Sequence, residues 1–182
     1  MLLCQQIVRF VDKDTVILAE VSEEDRCTTM GKATQRAIDS ILMSIDAYSK
    51  RTKHSLKILR MVLPPKMWYL CTPDNCVHET LRDLHYDIPE VEKAIVELKR
   101  PIRVIASASY VNYLVTNNAV LVAQYWKPGR DESYRRADGS AVATLQTAFP
   151  GRKVIQVDVE ALNYLGGGMN CISQQQPSWV KK

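Results

Sequence analysis

The chain has 182 residues, 46% of them apolar and 24% charged, with a formal net charge of +4 and a sequence pI near 8.8. That length buries one respectable core, and the composition is ordinary for a globular protein, so a single domain is expected. The basic residues are scattered, densest at Lys50-Arg51-Thr52-Lys53 and Lys99-Arg100, which argues against a nucleic-acid face, and no apolar run nears the roughly 20 residues that span a bilayer.

Residues 7–20 predict two short strands around the polar turn Asp12-Lys13-Asp14, with β-branched residues resuming at Thr15, Val16 and Ile17. Ser22-Glu23-Glu24-Asp25 reads as an acidic loop. A helix is expected over 29–48, because Met30, Ala33, Ala37, Ile38, Ile41, Leu42, Ile45 and Tyr48 recur on one face. Residues 55–61 alternate like a half-buried strand, which Pro64-Pro65 ends. Residues 66–102 fit neither pattern and read as a long surface excursion. Within them 89–99 predicts a short helix, with Pro89 in its first turn and basic residues at its end.

The second half repeats the plan of the first. Residues 110–125 predict strand, turn at Thr116-Asn117-Asn118, and strand. A polar loop from Lys127 to Glu132 follows, then a helix capped by Asp138 or Ser140 that turns Val142, Leu145 and Phe149 inward and stops at Pro150-Gly151. Val154 to Val157 closes the unit as a strand. Two strand–turn–strand–loop–helix–strand units make an internal repeat. The expected division is 1–63 for the first unit, 64–102 for a linker or insertion, and 103–182 for the second unit.

Five cysteines, an odd number with no scaffold-like spacing, point to free thiols in a reducing compartment, so a cytoplasmic location is expected. Met1-Leu2-Leu3-Cys4 is too short an apolar run for a secretory leader, and Gln5 and Gln6 follow at once. Cys71, Cys76, His78 and His85 are the one group with metal-type ligands, but their spacing makes tetrahedral closure awkward, and no metal site is expected.

The stretch LGGGMNCISQQQP at 165–177 stands apart from the rest. Gly166, Gly167 and Gly168 remove every Cβ from the approach to Cys171, and a run of hydroxyl and amide side chains follows. From residue types alone two readings stand: a loop that carries a nucleophilic thiol into a pocket, or a flexible turn with an incidental buried cysteine. In the first, N–H groups of the glycine-rich backbone would favour the thiolate.

This stretch, together with RFVDKDTV at 9–16, ASYVNY at 108–113 and FPGR at 149–152 running on to Val157-Asp158, resembles the C-terminal part of agmatine deiminases and Porphyromonas-type peptidylarginine deiminases. The resemblance implies an α/β fold in which the chain supplies about two ββαβ modules of a five-fold α/β-propeller, the pentein architecture of the guanidino-group-modifying superfamily. It implies Cys171 as nucleophile, carried on a substrate loop of Gly166, Gly167, Gly168 and Asn170. The implied reaction is agmatine plus water giving N-carbamoylputrescine and ammonia, a step toward putrescine, through a covalent thiol intermediate and with no metal or organic cofactor. The alternatives are a protein-arginine deiminase of the same family, or a non-catalytic half-propeller acting as a binding partner.

Two departures from the family pattern are visible. Counting back from Arg9-Phe10, the histidine and aspartate of the family's HxDxxxRF motif fall at Leu3 and Gln5. Many members also read GGGNIHC, where this chain is one residue shorter and carries Asn170 before the cysteine. The family's other acidic positions lie in modules outside the resemblance. The isolated chain is therefore expected to be inactive, and to associate with itself or with the remaining half of a family member. Its expected partner molecule is a small guanidino compound, agmatine; neither nucleic acid nor membrane is expected.

Overall fold

The computed structural model describes residues 7–83, 100–174 and 176. Leu3, Cys4, Gln5, His85 and the helix expected over 89–99 lie outside these.

Strand β1 (Val8–Phe10) turns back into β2 (Thr15–Glu20) as an antiparallel pair. The Asp12 carboxylate closes the turn by accepting from the Asp14 N–H at 2.7 Å. Where an acidic loop was expected there is a one-turn helix, α1 (Glu23–Arg26). Ser22 caps it, its hydroxyl accepting from the Asp25 N–H, and the three acidic residues sit in the first turn, where the helix dipole favours them. Helix α2 (Thr29–Thr52) follows, capped by Thr28, and β3 (Lys57–Val62) returns parallel to β2 over six paired positions. The apolar face of α2 is less covered than its periodicity predicts. Ile38 is buried, but Met30 and Tyr48 are exposed along with Met43.

The segment after Pro64-Pro65 is not a surface excursion throughout. β4 (Trp68–Cys71) pairs antiparallel with β5 (Ile102–Ile105), and α3 (Cys76–Asp83) follows β4. Met67, Cys71 and His78 are buried, so apolar burial, with a backbone partner some 30 residues away, outweighs the polar look of the sequence. The boundary expected between residues 102 and 103 falls inside β5.

β6 (Leu114–Val115), β7 (Ala119–Gln124), α4 (Glu132–Ala148) and β8 (Lys153–Asp158) repeat the first plan: an antiparallel pair, a helix, and a parallel strand over six positions. Helix α4 begins earlier than expected. Asp131 is its cap, accepting from the Ser133 N–H at 2.8 Å, while Asp138 is buried within the helix. The Asp138 carboxylate accepts from the N–H groups of Tyr125 and Trp126 and from the Tyr110 hydroxyl, so it is a bridge to the segment just after β7 rather than a cap. Helix α4 also touches the first unit, where the Thr144 hydroxyl donates to the Arg60 carbonyl of β3. A last short helix, α5 (Glu160–Tyr164), leads into the glycine run. The buried core runs through both units, from Ile17, Leu18 and Met61 to Tyr110, Tyr113 and Leu145. Among the described residues no helix is long and apolar enough to cross a membrane.

Candidate active site

Two distant stretches of sequence meet at Tyr113, which is fully buried. From β1, Arg9 donates to the Tyr113 carbonyl, and its guanidinium lies 4.4 Å from the ring centroid. From the end of α4, the Phe149 ring meets Tyr113 edge-on at 5.7 Å, and Arg152 lies over the other aromatic at 5.7 Å. The next residue back, Asn112, reaches the cysteine loop. Aromatic and cation–π contacts of this kind hold a segment in one orientation as well as burying it.

Residues 107–113 have no regular ladder, so their backbone groups find other partners. The Ser109 N–H donates to the Tyr125 hydroxyl at 3.0 Å, and the Val111 N–H to the Ser109 hydroxyl at 3.1 Å. The Ser107 N–H donates to the Asn163 carbonyl at 3.2 Å. Burial first, and then the hydrogen bond to Asp138, push the Tyr110 hydroxyl well above the ordinary tyrosine range, so it stays a donor.

The glycine run leaves α5 through a fixed exit. The Gly166 N–H donates to the Asn163 carbonyl and the Gly167 N–H to the Leu162 carbonyl. The buried Asn163 amide in turn donates to the Gly167 carbonyl at 2.8 Å. These two glycine N–H groups therefore close the helix end and are not aimed at the thiol, contrary to the expectation from sequence. Gly166 has φ +81°, in the left-handed region, and a Cβ there would also meet Val77 at 3.1 Å. At Gly168 a Cβ would lie 2.7 Å from the Asn112 side-chain carbon. The carboxamide of Asn112 thus occupies the space that a side chain at Gly168 would need.

Asn112 is only 5% exposed, and both ends of its amide are engaged. Its Nδ2 donates to Cys171 Sγ at 3.3 Å, and its Oδ1 accepts from the Asn170 N–H at 2.8 Å. The Cys171 N–H donates to the Gly168 carbonyl at 3.0 Å, which curls the loop back on itself. Cys171 is exposed, not the buried cysteine of an incidental turn. Met169 beneath it is buried, and the Ser173 hydroxyl donates to the Asn170 carbonyl. The loop that carries the exposed residue Cys171 is thus tied to Asn112 at two points. Sequence reasoning singled out the glycines, Asn170 and Cys171 but missed Asn112; its place in the 108–113 stretch was the available signal.

The other metal-type residues go elsewhere. His54 pairs with Asp14 at 3.0 Å, and His78 is buried with Nε2 at 3.2 Å from the Arg100 carbonyl. Cys71 is buried on β4, where burial pushes its thiol up, and Cys76 Sγ lies 3.7 Å from the Leu165 carbonyl.

Next to the loop, Glu160 anchors α5. Arg130 donates to both of its oxygens at 3.1 Å, Lys127 reaches it at 2.8 Å, and the Tyr164 hydroxyl donates to it. Burial alone would raise this carboxyl; the hydrogen bonds from Arg130, Lys127 and Tyr164 outweigh it and hold the group down at about 2.

The Porphyromonas-type peptidyl-arginine deiminase family model matches residues 4–177. A protein of Enterococcus faecalis provisionally named an agmatine deiminase is 41% identical over 73 residues, 40% of this chain and 18% of its own length. The agmatine deiminase of Pseudomonas putida is 33% identical over 76 residues, 42% of this chain and 18% of its own length. Among solved structures, an agmatine deiminase of Enterococcus faecalis superimposes with a TM-score of 0.55 at 25% identity, over 97% of this chain and 40% of that one. A protein of Porphyromonas gingivalis provisionally named an arginine deiminase gives 0.61 at 18% identity, over 95% and 38%. The α/β fold is thus that of deiminase structures, and the chain spans about two fifths of their length.

Proposed function

Because the chain belongs to the Porphyromonas-type peptidyl-arginine deiminase family, we propose that it is the cysteine-bearing C-terminal portion of a guanidine-cleaving hydrolase, with Cys171 as nucleophile. Its two ββαβ units then correspond to two modules of a five-fold propeller, and the cysteine loop follows the second.

The observation that carries this reading is the exposed residue Cys171, carried on a glycine loop, with its sulfur hydrogen-bonded to Asn112. A guanidinium carbon is cationic and resonance-stabilised, so it needs a strong nucleophile. A thiolate adds to it, ammonia leaves, and the S-linked amidino group is released by water as a ureido product. The names of the relatives favour agmatine, giving N-carbamoylputrescine; the family description favours a protein arginine.

Turnover also needs a proton carrier and carboxylates to hold the cation. At the positions where the family pattern puts histidine and aspartate, this chain has Leu3 and Gln5. The chain alone therefore acts as an incomplete site, or as a docking partner for the rest of a family member. The test measures ammonia and ureido product from agmatine and from a peptidyl-arginine, with and without an added N-terminal family portion. We expect no release by the chain alone above a Cys171→Ala control, and release only in the mixture. Losing the general acid/base costs about 10²–10⁴-fold by itself. Turnover that survives Cys171→Ala in the mixture would remove the nucleophile from the reading.

A further inference from the structure

We propose that the cavity between α2 and the β2–β3 pair binds a short phosphate chain, either free or as the di- or triphosphate of a small molecule. This stands apart from the guanidine reading, because it uses no residue of the cysteine loop or of the 107–113 stretch.

The cavity has a volume of about 630 Å³. Buried Ala19 and Ile38 line it, together with four cations. Arg26 comes from the last turn of α1, Lys32 and Arg36 from α2, and Arg60 from β3. They are spread along the sequence, so the charge reads there as scattered, and the fold gathers it. Glu20, at the end of β2, is the one carboxylate among the described residues that line the cavity. None of the four cations is in an ion pair among the described residues. The Gln35 amide beside them is engaged on its own helix, donating to Asp39 at 2.8 Å.

Lys32 and Arg36 stand one helical turn apart, and like charges so placed repel each other. Arg26 and Arg60 line the same space, which leaves four positive charges against the single negative charge of Glu20. A monovalent anion offsets little of this, whereas a chain of phosphates carries several charges and can reach several cations at once. Three of the four cations are arginines, whose paired N–H donors match phosphate oxygens and favour phosphate over a bare point charge. The volume is that of an ordinary small-ligand cleft. A ligand held there would bridge α1, α2 and β3.

Calorimetric titration of the full chain, at about 0.15 M salt, uses inorganic tripolyphosphate, ATP and orthophosphate as probes. We expect tripolyphosphate to bind, and orthophosphate to bind roughly tenfold more weakly or less still, since one phosphate reaches fewer donors. ATP as tight as tripolyphosphate supports recognition of the chain with a nucleotide as one source; ATP clearly weaker supports the free anion. Arg36→Gln with Arg60→Gln removes a guanidinium from each of two elements and should weaken tripolyphosphate by roughly tenfold or more. Arg51→Gln with Lys153→Gln removes the same charge away from the cavity and should change it by less than about threefold. All four positions are exposed, so both variants should fold.

No binding of tripolyphosphate would overturn the proposal. Equal losses in the two variants would overturn it as well, because they would show attraction to the net charge rather than to this cavity. If the cavity variant fails to fold, phenylglyoxal modification of the parent chain, mapped by peptide mass spectrometry, decides. Tripolyphosphate should shield Arg26, Arg36 and Arg60 and leave Arg51 reactive; uniform shielding, or none, would overturn the site.

Discussion

Gly168 and Asn112 compete for the same space, and three adjacent glycines should therefore respond differently to one methyl group. At Gly168 a Cβ would sit 2.7 Å from Asn112 Cγ, a side chain buried and bonded at both ends, so the clash has no cheap relief. Gly168→Ala should cost about 1–3 kcal/mol, typical of overpacking, and should disturb the contact with Cys171. At Gly166 the backbone itself is left-handed, and alanine should cost roughly 1–2 kcal/mol there. At Gly167 the nearest atom is Cys171 Cβ at 3.7 Å, an ordinary contact, so alanine should change stability by less than about 0.5 kcal/mol. Urea unfolding of the three variants checks the order. Equal losses at all three positions would show that the loop, not its contacts, is the sensitive feature. The sequence displays three identical residues; only the neighbours tell them apart. Asn112 was legible only as a member of the 108–113 stretch, since its partners, Asn170 and Cys171, lie 58 and 59 residues away.

At the scale of elements, α5 is the arm from which the loop hangs, and Glu160 ties it to Arg130 and Lys127. Its carboxyl falls from the ordinary 4.5 to about 2 in the folded chain. A folded-state value below the unfolded one means stability that is fully present above about 4.5 and is lost as pH falls toward about 2. Glu160→Gln should remove that dependence and destabilise the chain at neutral pH, because Arg130 and Lys127 lose their counter-charge. Urea midpoints of both proteins, from neutral pH down to about pH 3, should converge on the acid side. Parallel curves would mean that Glu160 is not the titrating link. Elements of this kind were partly legible in the sequence. Hydrophobic periodicity located α2, β2, β7 and β8, whose signals are local. It misplaced the start of α4, because Asp138 resembles a cap until Tyr110, Tyr125 and Trp126 are seen to use its carboxylate. It also missed β4, whose pairing with β5 closes a long loop that no short window contains.

Several large apolar side chains stand exposed among the described residues. Phe10, on the outer strand β1, is 63% exposed, and Met43 on α2 is 73% exposed, with Met30 and Tyr48 on the same helix also exposed. Among the described residues β1 pairs with β2 alone, so it is the edge strand of its sheet. Unpaired edges with apolar side chains favour association, and the chain spans only about two fifths of the solved structures that share its fold. We therefore expect the purified chain to self-associate in sedimentation velocity, with a sedimentation coefficient that rises with concentration. Phe10→Lys and Met43→Lys together should shift it toward monomer, because each places a charge on surface that association would have to desolvate. The same pair should leave urea stability within about 0.5 kcal/mol, as both side chains are already in water. An added N-terminal portion of a family member that covers these surfaces should also dissolve the self-association, and should do so at the stoichiometry at which any turnover appears. A parent chain that sediments as a monodisperse monomer at all concentrations and unfolds cooperatively would show that its exposed edge and helix face need no partner.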